Sequence, residues 1–395
     1  MTTKKNNEHK KLNVPNLRFP EFQGEWEKCK LGDYGKVVTG NTPPTKDIEN
    51  YENGTYLWAS PADLGTIKLI SETKTMLSAK GFSKTRALPK GSVLVTCIGS
   101  TIGKTGMATK EMSTNQQINS IVVNENSDNE FVYYSIQSAF PRYLSSIAVQ
   151  AVPIISKSAF ELLPNQRPCL QEQKKIGKML SLLDERIATQ NKIIEDLKKL
   201  KCAIIETVYN GKGYEYRIGD IIEQVSQRNK RYLVNTVLSV NNKLGFINQD
   251  EQFEDRTVAS EDTSNYKVVL KDDFAYNPAR INVGSIARLK SFDKGIVSPM
   301  YICFKVTDGI VPEYLESYFA TNHFFKEMQK RLEGSVRLCL SFEGLCNIPI
   351  FIPNMDEQAE IGKRIYQLES KIETECNILS LYEKQKQYLL RQMFI

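Results

Sequence analysis

The chain has 395 residues, of which 25% are charged and 41% hydrophobic, and its formal net charge is +6. A chain of this length is expected to form about two to three domains. No apolar run approaches the roughly 18–20 residues that a membrane span needs. The charged stretch at residues 1–11 lacks the apolar core of a secretory signal. We therefore predict a globular cytoplasmic protein that does not enter a membrane.

The cysteine and histidine content argues against a disulfide framework and against a metal site. The chain has eight cysteines without a Cys-x-x-Cys pair, and its two histidines are His9 and His323. A disulfide-rich scaffold is shorter and denser in cysteine, and a zinc site shows paired short spacings. We predict reduced cysteines and no bound metal.

The chain repeats itself once. Residues 172–178 read EQKKIGK and residues 357–363 read EQAEIGK, an offset of 185 residues (357 minus 172). The same offset carries Pro164 and Pro168 onto Pro349 and Pro353. A repeat this long indicates a duplicated pair of domains and not a solenoid. Each half consists of an irregular globular unit followed by a regular helical one.

The regular unit of each half carries the heptad pattern of a coiled coil. Apolar residues recur at alternating spacings of four and three, which predicts a long helix with one apolar stripe. The predicted helix-pairing seam comprises Ile176, Leu180, Leu183, Ile187, Ile194, Leu197, Ile204, Ile361, Ile365, Leu368, Ile372, Leu379 and Leu389. Polar residues interrupt it at equivalent positions, namely Gln190 and Glu375, then Lys201 and Lys386. Such residues either fix the register of the pair or lie half-exposed at its edge.

Two apolar stripes in one chain are most simply buried against each other, and the return of the chain through a globular domain favours antiparallel pairing. Short apolar runs broken by turn residues predict strands near 91–99, 266–276 and 295–306, and helices near 130–138 and 312–331. We predict an α/β (α+β) fold with two globular β-rich domains separated by two long antiparallel coiled-coil helices, as a pseudo-twofold internal repeat. The predicted segments are domain 1 at residues 1–167, helix 1 at 168–210, domain 2 at 211–352 and helix 2 at 353–395.

No catalytic motif is complete in this sequence. Residues 99–105 read GSTIGKT, with three residues between the glycines, whereas a phosphate-binding loop needs four. The run Asn277-Pro278-Ala279-Arg280 lacks the second proline and the aromatic residue of an amino-methyltransferase motif. No spacing supports a Ser-His-Asp triad. We predict no catalytic residue on this chain.

Basic residues interleaved with amides and hydroxyls indicate nucleic-acid binding. Lys and Arg attract phosphates, and Arg, Asn and Gln can form paired hydrogen bonds with base edges. The candidates in the first half are Thr39, Asn41, Thr42, Arg86, Lys104, Thr105, Gln116 and Gln117. Those in the second half are Arg228, Arg231, Asn277, Arg280, Asn282 and Arg288. The alternative is a solvated polar face, because a net charge of +6 over 395 residues is mild.

The order and repetition of these features resemble one family, the specificity subunits of type I restriction-modification systems. The resemblance rests on the proline-flanked EQ-x-x-I-G helix in each half and covers nearly the whole chain. Further supporting segments are Trp26, residues 31–33 (LGD), 39–44 (TGNTPP), 56–60 (YLWAS) and 276–286 (YNPARINVGSI). TGNTPP has no counterpart near residues 225–230, so the two recognition domains are expected to read different half-sites.

The resemblance implies a non-catalytic subunit that gives a restriction-modification complex its DNA sequence specificity. Each globular domain would bind one half of a bipartite double-stranded DNA target. The helices would set the half-site spacing and dock two modification (methyltransferase) subunits, and restriction (translocase/nuclease) subunits would join the complex. S-adenosylmethionine, ATP and Mg²⁺ are expected on those partners and no cofactor on this chain. Two alternatives remain open at this point, a coiled-coil scaffold without DNA binding and an autonomous DNA-modifying enzyme.

Overall fold

The computed structural model describes residues 13–65, 67–146, 153–209, 213–242, 244–249, 262–335 and 337–395. Contacts divide the chain into two compact units, Met1–Gln190 with Ile378–Ile395 (unit 1) and Asn191–Asn377 (unit 2). Each unit therefore contains one globular head and parts of two long helices. His9, the charged N-terminal stretch and residue 210, the predicted end of helix 1, lie outside the described residues.

The head of unit 1 (head 1, residues 27–167) is rich in short strands. They are β1 (Glu27–Lys30), β2 (Gly35–Thr39), β3 (Tyr56–Ala59), β4 (Leu69–Ile70), β5 (Thr75–Leu77), β6 (Val93–Thr96), β7 (Thr105–Ala108), β8 (Ser113–Thr114), β9 (Ile118–Val123) and β10 (Pro164–Arg167). The helices of head 1 are α1 (Ala79–Ser83), α2 (Asn129–Ser146) and α3 (Lys157–Glu161). The strands form sheets in the orders β2-β9-β6-β7-β4, β5-β3-β8 and β1-β10.

The core of head 1 lies between its largest sheet and α2. All four residues of β6 are buried, which is the behaviour expected of the apolar run predicted near 91–99. The side chains of Phe131 and Tyr134 on α2 are fully buried. They belong to one apolar cluster with Ile176 and Leu180 of the following long helix. Burial of this apolar surface is what holds the head on the helix.

The first long helix, α4 (Leu170–Val208), has 39 residues. In unit 2 it is followed by the second head (head 2, residues 214–352). The strands of head 2 are β11 (Tyr214–Arg217), β12 (Ile222–Val225), β13 (Val237–Asn241), β14 (Gly245–Asn248), β15 (Lys267–Leu270), β16 (Phe274–Tyr276), β17 (Ile286–Arg288), β18 (Lys294–Val297), β19 (Ile302–Val306) and β20 (Pro349–Ile352). The helices that follow are α5 (Pro312–Tyr318), α6 (Asn322–Gln329), α7 (Phe342–Cys346) and the 38-residue α8 (Met355–Gln392).

Head 2 repeats most of the strand order of head 1, without a counterpart of β4 and with β15 as an additional strand. Its sheets run β12-β19-β16-β17 and β14-β13-β18-β15, and β11 pairs with β20 as β1 pairs with β10. The strand β13 runs parallel to β18, as β3 runs parallel to β8. Two β-rich heads, two long helices and an internal repeat confirm the predicted fold class. In this correspondence β17 is the counterpart of β7.

Three predicted elements of head 2 were each a single segment and are split in the structure. The run 266–276 forms β15 and β16, separated by a turn at residues 271–272. The run 295–306 forms β18 and β19, separated by a turn in which the N–H of Tyr301 donates to the carbonyl oxygen of Ser298. Pro299 in that turn has no N–H to give to a sheet. The stretch 312–331 forms α5 and α6, because Thr321 caps a new helix by accepting the N–H of Phe324.

The structure places all thirteen predicted seam residues in buried or half-buried positions. In unit 1 the beginning of α4 packs with the end of α8, where Leu183 and Leu389 share one apolar cluster. In unit 2 Lys201, near the end of α4, lies beside Glu369 in the first half of α8. The start of α4 contacts the end of α8, and the end of α4 contacts the first half of α8, as the predicted antiparallel pairing requires. Ile205, which the heptad pattern omits, is buried to 3% exposure.

Candidate nucleic-acid interface

The glutamine of the repeated EQ-x-x-I-G motif fastens each long helix to its head. Gln173 accepts the N–H of Asp128 at 3.1 Å and donates to the carbonyl oxygen of Pro168 at 3.0 Å. Its counterpart Gln358 accepts the N–H of Val311 at 2.9 Å and donates to Pro353 at 3.0 Å. Both side chains are buried, so each amide satisfies backbone groups that water cannot reach. The motif is therefore a junction between the head and the helix.

The glycine of the same motif allows a close approach between helix and head. A Cβ atom on Gly177 would lie 2.5 Å from Asp128 Oδ1 and 3.0 Å from the backbone nitrogen of Phe131. A Cβ atom on Gly362 would lie 2.9 Å from the Cβ of Glu313. Both head and helix would have to shift to admit a larger residue at position 177, because one of the contacts is to backbone.

The lysines that interrupt the seam have carboxylate partners on the opposite helix. Lys386 Nζ lies 2.7 Å from Asp184 Oδ1 in unit 1, and Lys201 Nζ lies 2.5 Å from Glu369 Oε1 in unit 2. Asp184 and Glu369 are themselves 185 residues apart (369 minus 184), as are Lys201 and Lys386. The two ion pairs are therefore equivalent in the repeat.

In head 1, three segments that are distant in sequence form one polar surface. Arg86 donates from Nη1 to the carbonyl oxygen of Thr39 at 2.7 Å and from its backbone N–H to Asn41 Oδ1 at 3.0 Å. Thr42 Oγ1 donates to Gln116 Oε1 at 2.5 Å. The structure thus brings together five of the predicted candidates, Thr39, Asn41, Thr42, Arg86 and Gln116.

Gly40 and Trp58 hold the TGNTPP loop in place. A Cβ atom on Gly40 would lie 2.2 Å from the carbonyl oxygen of Asn115, so the loop can lie against the segment before β9 only with glycine at this position. Trp58 Nε1 donates to the carbonyl oxygen of Asn41 at 3.1 Å. These two contacts explain the presence of glycine in TGNTPP and of tryptophan in YLWAS.

The remaining head 1 candidates lie in different environments. Gln117 lies next to the polar surface, and its backbone N–H donates to Asn115 Oδ1 at 3.0 Å. Lys104 is exposed at the end of the 98–104 loop, and its aliphatic carbons pack over Gly65. Thr105 is buried to 3% exposure. Thr105 therefore faces the core of head 1, whereas the ammonium group of Lys104 can reach solvent.

In head 2, the second predicted loop lines a cleft of about 910 Å³. Asn277, Arg280 and Asn282 line this cleft, and Arg280 is exposed. The N–H of Leu340 donates to the carbonyl oxygen of Pro278 at 3.1 Å, which anchors the 333–339 hairpin beside this loop. The structure therefore brings these three candidates together on a concave surface lined by both polar and apolar side chains.

Sequence analysis missed several residues that line the same cleft. They are Ser239, Gln249, Ser298, Met300, Arg337 and Leu338. Arg337 is exposed on the hairpin, and Met300 and Leu338 are 60% and 50% exposed. A lone arginine in an irregular loop carries no sequence pattern. The hydrogen bond between Leu340 and Pro278 is what places it near Arg280.

The other head 2 candidates lie outside the residues that line the cleft. Arg228 is exposed and donates to Asn265 Oδ1 at 2.9 Å, and Arg231 is exposed in the turn that Asn229 and Tyr232 close. Arg288 is buried, and its guanidinium is within 3.0 Å of three carboxylates, those of Asp272, Glu313 and Glu316. These carboxylates occupy the donors with which Arg288 would otherwise contact a phosphate or a base.

The described residues offer no arrangement suited to metal binding or membrane insertion. No group of three His, Cys, Asp or Glu side chains within them is placed to hold a metal ion. No helix among them is long and apolar enough to cross a membrane. All eight cysteines are free. Burial raises the pKa of Cys97 and that of Cys303 to about 12, so neither of these two thiols is ionised near neutral pH.

Comparison with known proteins identifies the family. The type I restriction modification DNA specificity domain matches this chain twice, over residues 23–199 and 212–381. The chain is 28% identical over 275 residues to the type I restriction enzyme MjaIX specificity subunit of Methanocaldococcus jannaschii, covering 63% of this chain and 62% of that protein. It is 25% identical over 408 residues to the MjaVIII specificity subunit of the same organism, covering 95% of this chain and 92% of that protein.

A solved structure shares the fold. The S subunit of a type I restriction-modification system from M. genitalium superposes with a TM-score of 0.61 at 17% identity, over 97% of this chain and 99% of that one. Neither a coiled-coil scaffold without DNA binding nor an autonomous DNA-modifying enzyme is supported by these relatives. With two copies of the specificity domain that together span most of its length, the chain belongs to the type I restriction-modification DNA specificity family.

Proposed function

We propose that each head binds one half of a bipartite double-stranded DNA target and that the chain supplies specificity without catalysis. The observation that carries this proposal is the duplication of the specificity domain, with an exposed polar and basic surface on each head. A duplicated head whose two copies have different loops suits a target with two different half-sites. Phosphate contacts would position each head, and contacts to base edges would select the sequence.

In head 2 the cleft supplies hydrogen-bond donors that could contact base edges. Arg280 and Arg337 can each form two hydrogen bonds with guanine O6 and N7, while Asn277 and Asn282 can pair with adenine. Arg228 and Arg231, exposed outside this cleft, suit phosphate contacts. We leave Arg288 out of the DNA-contacting set, because three carboxylates occupy its guanidinium.

In head 1 the polar surface is richer in amides. Asn41, Gln116 and Gln117 can read base edges, and Thr39 and Thr42 lie beside them. Arg86 already donates to the backbone of Thr39, so its role in this proposal is to hold the TGNTPP loop and to add positive charge. Lys104 suits a phosphate contact, because its ammonium group is exposed.

The two long helices would set the spacing between the half-sites. At about 1.5 Å per residue, a 39-residue helix is about 58 Å long. That length exceeds one turn of DNA, which is about 34 Å. Two heads held by such helices could reach separate major grooves, so the helix length would determine the number of base pairs between them.

We further propose that the helices dock two modification subunits and that restriction subunits join the same complex. S-adenosylmethionine, ATP and Mg²⁺ would be bound by those partners, in the cytoplasm. This chain would contribute binding and orientation only. The buried thiols of Cys97 and Cys303 are unsuited to act as nucleophiles, since both are neutral near pH 7.

The spacing role can be tested by lengthening both helices equally. Inserting seven residues after Gln190 and seven after Glu375 preserves the heptad phase and adds about 10 Å, or about three base pairs. The expected result is a gap about three base pairs longer, with both half-sites unchanged, when methylated sites are mapped with the modification partner present. A methylated target with the original gap would contradict the spacing role. Inserting seven residues into one helix only is the matched control, because it breaks the pairing.

A further inference from the structure

A charge network joins head 1 to both long helices. Lys68 immediately precedes β4, and its side chain is only 9% exposed. Its ammonium nitrogen lies 2.9 Å from Glu130 Oε2 on α2, 3.0 Å from Ser181 Oγ on α4 and 3.8 Å from Asp184 Oδ2 on α4. A head lysine thus reaches the same carboxylate that pairs across the helices.

Asp184 links this lysine to the second helix. Lys386 on α8 lies 2.7 Å from Asp184 Oδ1, and the hydroxyl of Tyr134 on α2 donates to Asp184 Oδ2 at 2.5 Å. Burial, followed by the negative charge of Asp184, raises the pKa of Tyr134 well above its usual value. Its hydroxyl therefore stays protonated and remains a donor. The network of unit 1 spans α2, α4, α8 and the strand edge of head 1.

Unit 2 contains a related arrangement around a more exposed lysine, whose side chain is 42% exposed. Lys290, two residues after β17, lies 2.7 Å from Glu316 Oε1 on α5 and 3.6 Å from Glu369 Oε2 on α8. Glu369 also pairs with Lys201 on α4. Burial alone would raise the pKa of Glu369, but its hydrogen bond to Lys201 and the charges of Lys201 and Lys290 lower it. The carboxylate is therefore ionised and held from both sides.

The two heads supply the cation from positions that do not correspond in the repeat. Lys68 precedes β4, whereas Lys290 follows β17, the counterpart of β7. The helix residues of the network do correspond, since Asp184 and Glu369 share the 185-residue offset. The same contact has thus been built twice from different strands. An incidental surface pair would not be expected to recur in this way.

These ion pairs add further orientation-dependent contacts to a junction that is largely apolar and that Gln173 and Gln358 already fasten at one end of each helix. Head 1 and the helices of unit 1 share a hydrophobic cluster that includes Phe131, Leu183 and Leu389. Hydrophobic burial is non-directional, whereas the hydrogen bond from Lys68 to Ser181 requires a specific distance and angle. The ion pairs with Asp184 and Glu369, at 3.8 and 3.6 Å, likewise depend on where each head lies on its helices. The network therefore favours one orientation of the head on its helices among those that the apolar packing allows.

We propose that Lys68 and Lys290 are positioning residues that fix the orientation of each head on its helix pair and thereby restrict the gap length that the complex accepts. The inference rests on the proposed function, in which the helices set the half-site spacing. It predicts that loss of the two lysines changes the accepted gap while the bases of each half-site remain the same, since neither lysine belongs to the proposed DNA-contacting surfaces.

The test compares full-length chains co-expressed with the modification partner on a plasmid library in which the gap is randomised in length. For the Lys68→Met/Lys290→Met double variant, we expect methylation at the normal gap to fall about tenfold, since a ~1 Å misplacement can cost ~10²-fold. Sites with gaps one base pair shorter or longer should become methylated. Lys68→Arg/Lys290→Arg should restore the single gap, because the charge is kept. Lys28→Met/Lys294→Met, at exposed lysines, is the matched control.

An unchanged gap distribution in the methionine variant would overturn the inference, even if overall methylation falls. If circular dichroism shows that the double variant does not fold, Lys290→Gln alone, at a side chain 42% exposed, is examined by the same readout and judged by the same outcome. The proposed function has a separate failure, in which the unmodified chain directs methylation to no bipartite site. If the wild-type chain directs methylation to sites with one gap length and the variant keeps that gap length, only the positioning role is contradicted.

Discussion

Lys201 on α4 lies 2.5 Å from Glu369 on α8, nitrogen to carboxylate oxygen, at a position where the heptad pattern would place an apolar residue. Its counterpart in the repeat is the pair between Lys386 and Asp184. Lysines in an apolar seam cost stability unless they are paired, and a paired lysine disfavours every other register of the helices. Both lysines are paired and also half-exposed, at 28% and 21%, so register setting stays a prediction for these two positions.

The interaction energy between Lys201 and Glu369 can be measured by a charge-reversal double-mutant cycle. Lys201→Glu should lower the free energy of unfolding by about 1–2 kcal/mol, because two carboxylates would then face each other. Adding Glu369→Lys should recover about half of the loss, since the new lysine would also face Lys290. Urea unfolding of the three variants gives the coupling energy. Lys198→Glu, at an exposed position of α4, should change the midpoint much less, and a loss equal to that of Lys201→Glu would contradict the specific pairing.

The two motif glycines should differ in their tolerance of alanine. Alanine is favoured over glycine in a helix by about 1 kcal/mol, but a Cβ at position 177 would clash with the backbone of Phe131. Gly177→Ala should therefore destabilise unit 1 by about 1–3 kcal/mol. Gly362→Ala should destabilise unit 2 by less, since its one contact below 3.0 Å is to Glu313 Cβ, whereas a Cβ at position 177 would meet Asp128 Oδ1, Glu130 Cβ and the backbone nitrogen of Phe131 within 3.0 Å. Thermal unfolding of both variants measures the difference, and equal effects would show that the close approach at 177 can relax.

Replacing an arginine of the head 2 cleft should weaken DNA recognition, whereas replacing an exposed arginine outside the proposed DNA-contacting surfaces should not. If Arg280 or Arg337 reads a base, its replacement by alanine should cost about 1–3 kcal/mol of binding and relax specificity at one position of one half-site. Binding should be measured with the assembled complex at several salt concentrations. If affinity falls equally on all sequences with a shallower salt dependence, the side chain contacts phosphate. Arg364→Ala, at an exposed position of α8, is the matched control and should change neither quantity.

The lowered pKa of Glu369 predicts a contribution to acid stability. Its pKa in the folded protein lies below the ordinary value of 4.5, as burial is outweighed by Lys201 and Lys290. A carboxyl with a depressed pKa adds stability above its unfolded pKa and loses it as the pH falls through the folded value. Glu369→Gln should therefore reduce the dependence of unfolding free energy on pH below about 4.5, with little change in slope at neutral pH. An unaltered acid slope would show that this carboxylate is not held by its lysines.

The parts of this structure that could be predicted from sequence depend on local periodicity. The heptad stripe predicts α4 and α8, and an internal repeat predicts two heads of the same kind. The EQ-x-x-I-G motif marks each helix start, because Gln173 and Gln358 make the same backbone contacts in the two halves. The strand order was not derivable. The pairing of Thr39 with Asn119 between β2 and β9, for example, joins residues far apart in the chain.

Charge and residue type alone did not separate surface arginines from buried ones. Arg280 and Arg288 cannot be told apart by residue type. Only Arg288 is surrounded by three carboxylates, that of Asp272 before β16 and two on α5. Arg337 was missed because the hairpin that carries it reaches the cleft through a tertiary hydrogen bond at Pro278. The contacts of Lys68 could not be predicted from sequence either, since its partners on α2 and α4 are distant in the chain.

Mapping methylated sites in cells that express the chain with its modification partner shows whether this chain directs modification to a bipartite DNA target. We expect one motif with two half-sites separated by a single gap length, absent from cells that lack the chain. Arg280→Ala should relax one half-site and leave the other and the gap intact. Methylation at a single continuous sequence, or the same methylated motif without this chain, would contradict the proposed function.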